Sequence, residues 1–171
     1  MIVATLRMVK AWLADGTNGA QAWITAVPRT SGDAVPPTLQ AIAEETSDEA
    51  VATEDGVPSS LPALGLMLDR VSSLADQTVN DEGDGTIDLV IRYLTKNSNA
   101  ATATRDAAYS MQGVLKSLRQ LFRGGNEASR TLLGVQLINM RSMEALTLYQ
   151  KVGDGFCSGA IKISLHYRDT L

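Results

Sequence analysis

The residues best spaced for chemistry are Asn80-Asp81-Glu82-Gly83-Asp84-Gly85-Thr86-Ile87-Asp88. A calcium loop of the EF-hand kind draws oxygen ligands from alternate positions. On that frame Asn80, Glu82, Asp84 and Asp88 stand at positions 1, 3, 5 and 9, with Gly85 at the sharp turn and Ile87 at position 8. The twelfth position calls for a bidentate Glu, and the chain supplies Ile91 inside an alternating run. The stretch therefore reads as a solvated Gly/Asp turn entering a strand, and no metal or cofactor is expected. His166, the one histidine, sits on the polar side of a strand with no second histidine to join it and reads as a surface or interface residue. Cys157, the one cysteine, excludes an intramolecular disulfide and reads as a small buried side chain beside a turn at Gly153-Asp154-Gly155. The sequence holds no serine nucleophile elbow, phosphate loop, dinucleotide fingerprint or HExxH motif, so it offers no catalytic signature.

What remains is charge, and it is segregated. The formal net charge is −4. Residues 33–88 carry thirteen acids against the single base Arg70, whereas residues 92–123 carry six bases against the single acid Asp106. At about 100° per residue, Arg105, Lys116, Arg119 and Arg123 fall within roughly 60° of one another on a helix. Such a chain can attract a copy of itself, the acidic connection Asp76, Asp81, Glu82, Asp84 and Asp88 meeting the cationic flank of a neighbour. The same flank suits a phosphate backbone, although overall acidity and the lack of interleaved aromatic residues speak against sequence-specific DNA binding.

The element that must position those bases spans residues 101–124. Ala107, Met111, Val114, Leu115, Leu118, Leu121 and Phe122 recur at i, i+3, i+4 and i+7, one stripe of an α-helix. Thr102 or Thr104 is expected to cap its start, with Asp106 near the positive end, and Gly124-Gly125 to end it in a left-handed turn. Before it, Leu64, Leu66 and Leu68 alternate in residues 62–70, and Ile87, Leu89, Ile91 and Tyr93 alternate against Asp88, Val90, Arg92 and Leu94. After it, residues 132–149 are rich in strand formers, with a slip around 140–144 that indicates a bulge. Ile161, Ile163, Leu165 and Tyr167 then alternate against Lys162, Ser164, His166 and Arg168.

At the N-terminus, residues 2–13 predict an amphipathic helix, and residues after Asn18 a shorter one that ends before Pro28. Together they suggest a helical arm. Arg7 and Lys10 interrupt the apolar run too early for a signal segment or membrane span, so a soluble, cytoplasmically made protein is expected. Residues 29–60 change to Gly, Pro, Ser, Thr and acids, with only the run 39–43 offering even a short element, and read as an insertion or projecting arm. A chain of 171 residues with 44% apolar content suits one hydrophobic core. The prediction is a single α+β domain: a four-stranded, mainly antiparallel sheet packed against one long amphipathic helix, with the N-terminal helical arm.

This order of elements, over residues 1–16 and 61–167, resembles the tail terminator (tail completion) proteins of long-tailed bacteriophages, the gpU-like family. The resemblance lies in topology, size and pattern, and the 29–60 stretch departs from the family's compact members. It implies a non-enzymatic virion protein, assembled in the host cytoplasm. That protein would form a ring, commonly a hexamer, at the head-proximal end of the tail tube. Implied partners are its own copies, the tail tube protein and the head–tail connector or stopper protein, with DNA passing through the lumen and no membrane. Two other readings fit the same pattern: another ring component of the head–tail neck, and a small α+β enzyme or ligand-binding module with a deep pocket of converging polar groups.

Overall fold

A computed structural model describes residues 2–45, 61–73, 83–143, 147–151 and 156–169. Its elements are α1 (Ile2–Leu13), α2 (Ala20–Ala26), β1 (Ala41–Glu45), β2 (Ala63–Ser73), β3 (Asp84–Lys96), α3 (Ala100–Arg123), a short 3-10 helix (Glu127–Arg130), β4 (Thr131–Leu132), β5 (Val135–Met143), β6 (Thr147–Lys151) and β7 (Phe156–Asp169).

The two most regularly alternating runs, β3 and β7, pair antiparallel in the middle of the sheet. Ile87 stands opposite Leu165, Leu89 opposite Ile163 and Ile91 opposite Ile161, so both apolar rows point to one face. β2 lies antiparallel on the free side of β3, placing Leu64 and Leu66 in the same layer. β5 and β6 share the other side of β7, one along residues 163–169 and one along 156–160. The register of β5 shifts between Leu137 and Asn139 and again between Met140 and Ser142, the second shift falling where the slip in alternation indicates.

This core of antiparallel strands follows the expected plan, but the sheet is larger. Among the described residues it has seven strands and is mixed, in the order β1-β2-β3-β7-β5-β4 with β6 also on β7. β1 comes from the stretch read as an insertion and runs parallel to β2, Ala43 opposite Gly65. It overlaps the short element expected at 39–43, but five residues are too few for alternation to mark them as a strand of this sheet. The open edge of β2 supplies the hydrogen-bond partners that such a segment needs.

The helical layer also departs from the plan of one helix and an arm. α1 and α2 pack into the core, Val9 and Ile24 each with no exposed surface. Their seat is α3, whose buried arc is wider than its apolar stripe. Ala107, Met111, Val114, Leu118 and Leu121 are buried, and so are Asp106, Ser110, Gly113 and Ser117 on the adjoining arc. The second arc faces the other helices. The indole Nε1 of Trp12 donates to the Ser117 carbonyl at 2.9 Å, and Ser117 Oγ donates to the Asn18 carbonyl at 2.9 Å. A Cβ at Gly113 would lie 2.5 Å from the Ile24 Cα, so the two helix backbones are in contact there.

Both ends of α3 differ in detail from expectation. Asn99, not a threonine, caps the start by accepting from the Thr102 amide at 3.1 Å. Gly124 has φ −130 and ψ −9, so the helix stops without a left-handed residue. The turn at 153–155 lies outside the described residues.

Candidate functional site

The four bases of α3 are carried on the arc opposite its buried one, because the apolar stripe commits the rest of the circumference to the core. Arg105 is engaged within the chain: its guanidinium donates to Asp33 Oδ1 at 2.7 Å. The other oxygen of Asp33 accepts from the Tyr109 hydroxyl at 2.7 Å, and that hydroxyl accepts from the Thr30 amide at 3.2 Å. The segment leading from α2 to β1 is thus strapped to the start of α3. Lys116 is half-buried, whereas Arg119 and Arg123 are exposed. Among the described residues these three have no acidic partner, which leaves a short cationic ridge on the C-terminal half of the helix.

Of the five acids in the expected complementary segment, Asp76, Asp81 and Glu82 lie outside the described residues. Asp84 and Asp88 lie on the outer face of the sheet, away from the helices, and are joined to bases of β7. Arg168 Nε donates to Asp84 Oδ1 at 3.0 Å, and His166 Nε2 stands 3.5 Å from Oδ2. The Arg168 hydrogen bond holds the Asp84 carboxyl below its usual range. Ser164 Oγ donates to Asp88 Oδ1 at 2.5 Å, and Lys162 bridges Asp69 at 2.7 Å and Asp88 at 3.8 Å. These acids sit in a cross-strand charge ladder.

The chemical candidates separate in the same way. Asn80, Asp81 and Glu82 of the calcium-like motif lie outside the described residues; from Asp84 onward its backbone is strand, with Ile91 buried at the twelfth position. No group of three or more metal-ligating side chains occurs among the described residues. Cys157 and His166 occupy opposite faces of β7, so the sheet keeps thiol and imidazole apart. Burial pushes the Cys157 thiol up, away from a reactive thiolate. His166 is 8% exposed, with the Arg141 guanidinium 3.3 Å from Nδ1.

Sequence reasoning missed a cleft of about 440 Å³ between α1 and the segment around the 3-10 helix, with a mixed lining in which Met8, Trp12 and Leu132 stand beside the polar Asn18, Asn126 and Thr131. Beside it, Leu133 and Gly134 form the two-residue turn joining β4 to β5, with φ 51 and 75. The signal available for that turn is a glycine between two short apolar runs at 131–137, a hairpin pattern.

Comparison with known proteins bears on the fold. No family of known proteins matches the sequence, and no curated protein does. Among solved structures, a chain of the virion of a native gene transfer agent particle is similar, with a TM-score of 0.56, at 14% identity. The match covers 98% of this chain and 96% of that one. At that identity the likeness is one of fold, running nearly end to end through both chains. Among the described residues no helix is long and apolar enough to cross a membrane.

Proposed function

We propose that this chain is a structural protein of a virion, a tail terminator whose copies form a ring at the head-proximal end of a phage-like tail tube. The observation that carries the reading is the near end-to-end fold likeness to a chain of a gene transfer agent virion. Element order is in keeping with the finer assignment, since α1, β2, β3, α3, β5 and β7 follow one another as helix–strand–strand–helix–strand–strand, with α2, β1, β4 and β6 added to that order. The proposed role is non-enzymatic: the ring stops tube polymerisation and offers its other face to the connector, with DNA passing through the lumen.

A ring closes through heterologous contacts, one surface of a copy meeting a different surface of the next. The cationic ridge of Lys116, Arg119 and Arg123 is suited to one side of that contact, because it lacks acidic partners among the described residues. Asp84 and Asp88 are less suited to the other side, being tied to β7. Arg105 is likewise satisfied by Asp33.

The test is the mass of the purified protein by light scattering, with negative-stain imaging of the particles. A closed ring is expected for the wild type. Arg119→Glu with Arg123→Glu should lower the mass to that of smaller species while far-ultraviolet ellipticity stays unchanged. A wild-type monomer, or a double variant of unchanged mass, counts against the assignment. Particles made without this protein should carry overlong tails; normal tails on unjoined heads would favour another neck component instead.

A further inference from the structure

We propose that His166 is a proton-operated latch on the outer face of the sheet: the neutral ring holds the Arg141 guanidinium through Nδ1, and the protonated ring releases that guanidinium and closes on Asp84 through Nε2. The starting observation is an orphaned atom. His166 is 8% exposed, and its Nε2 is shut off from solvent without a hydrogen-bond partner, 3.5 Å from Asp84 Oδ2. A buried polar nitrogen left in this way costs free energy, which marks the ring as unfinished in its present protonation state.

Arg141 fixes that state. Its Nη2 lies 3.3 Å from Nδ1, and a guanidinium can only donate, so Nδ1 keeps its lone pair and the single ring proton is on Nε2. The sheet is distorted where this contact is made. Met140 pairs with Leu165 and Ser142 with Ser164, which leaves Arg141 as the extra residue of a bulge, and a bulge re-aims the side chain it carries. Arg141 is exposed, and among the described residues no carboxylate lies within ion-pair distance of it, so the imidazole is its partner among them.

Adding a proton reverses both contacts. Nδ1–H then points at a guanidinium that has no lone pair to offer, like charge against like, and exposed Arg141 has solvent to move into. Nε2 gains in the same step, because a charged ring pairs with Asp84, whose Oδ2 already faces it. Asp84 is prepared for that role: Arg168 Nε donates to its other oxygen at 3.0 Å, and this bond holds the carboxyl below its usual range. The remaining neighbours are neutral or engaged. Thr86 and Asn139, opposite His166 on β3 and β5, are uncharged, and farther along the face Asp88 is met by Ser164 and Lys162. Histidine is the residue class suited to such a latch, since imidazole ordinarily changes charge between about pH 5 and 8. The inference concerns one subunit and does not rest on the ring reading.

Nuclear magnetic resonance of the full chain tests it, because one histidine gives one set of ring resonances. With the ring neutral, the Nε2–H tautomer is expected, and the Arg141 guanidinium protons should exchange with water about tenfold more slowly than those of exposed Arg119. With the ring charged, the two arginines should exchange alike while far-ultraviolet ellipticity stays unchanged. In His166→Asn the amide oxygen accepts from Arg141 but does not titrate, so the slow exchange should persist at every pH. In Asp84→Asn the charged ring loses its partner, so release should need a more acidic solution. An Nδ1–H neutral ring, an Arg141 to Arg119 ratio that ignores the titration, or a pH response retained by His166→Asn overturns the proposal. The wild-type titration decides the matter even where a variant fails to fold.

Discussion

Gly113→Ala separates the local preference of a helix from the demands of its neighbour. Gly113 lies in the interior of α3, where replacing glycine by alanine in an isolated helix is worth about 1 kcal/mol in favour of the variant. The tertiary structure predicts the opposite sign. The added methyl would lie 2.5 Å from the Cα and the backbone nitrogen of Ile24, and 2.7 Å from its Cγ1. A rotamer change can move only the last of these. Reaching ordinary contact of about 3.5 Å requires α2 to withdraw by about 1 Å, a gap that forfeits up to half of the dispersion well of each contact along the crossing. Overpacking of this kind costs about 1–3 kcal/mol, and a backbone obstacle puts it at the upper end. After the propensity gain, a net loss of about 1–2 kcal/mol is expected, a fall of about 2–8 °C in melting midpoint for a chain of this size. Urea unfolding followed by ellipticity measures it. Gln112→Ala, exposed on the same helix, is the control and should change stability by less than about 0.5 kcal/mol. If Gly113→Ala is more stable than the wild type, α2 does not rest on Gly113 and the packing of the helical layer as described is wrong.

Asp33→Asn should weaken the strap across α3 by removing the charge from two 2.7 Å hydrogen bonds, those of Arg105 and Tyr109. The cost should be about 1–2 kcal/mol, modest because the ion pair is partly exposed, with faster amide exchange at Thr30 as the local readout. Asp106 behaves differently, since burial raises its carboxyl above the usual range, opposed by Arg105 and assisted by Asp33. The folded protein therefore binds that proton more tightly than the unfolded chain does. The group favours the fold below its folded pKa and works against it once ionised. Asp106→Asn should raise the melting midpoint at neutral pH, and the advantage should shrink as pH falls towards the ordinary carboxylate range; a variant less stable at neutral pH would contradict the burial argument.

The elements whose character depends on consecutive residues were legible in the chain alone. β3 and β7 bury alternate side chains, α3 buries one arc, and both demands are written as periods of two and 3.6 in neighbouring positions. The same periodicity placed the four bases of α3 on its solvent side. Asn99 was missed as the cap because the apolar period, which locates the helix, starts well inside it.

What the chain alone left open was the partner of each charged or strained group. Asp33 reaches Arg105 from 72 residues away, and Asp88 meets Ser164 from 76. The Ser164 pairing exists only because β3 and β7 adopt one register, and no local pattern specifies a register between distant strands. The same holds for β1, which becomes a strand through the open edge of β2, and for Gly113, which marks a crossing only once α2 is laid upon it. Secondary structure here follows from what each segment must hide. Which acids and bases remain available to another molecule follows from non-local pairing, and that is decided only when the sheet and the helical layer have assembled.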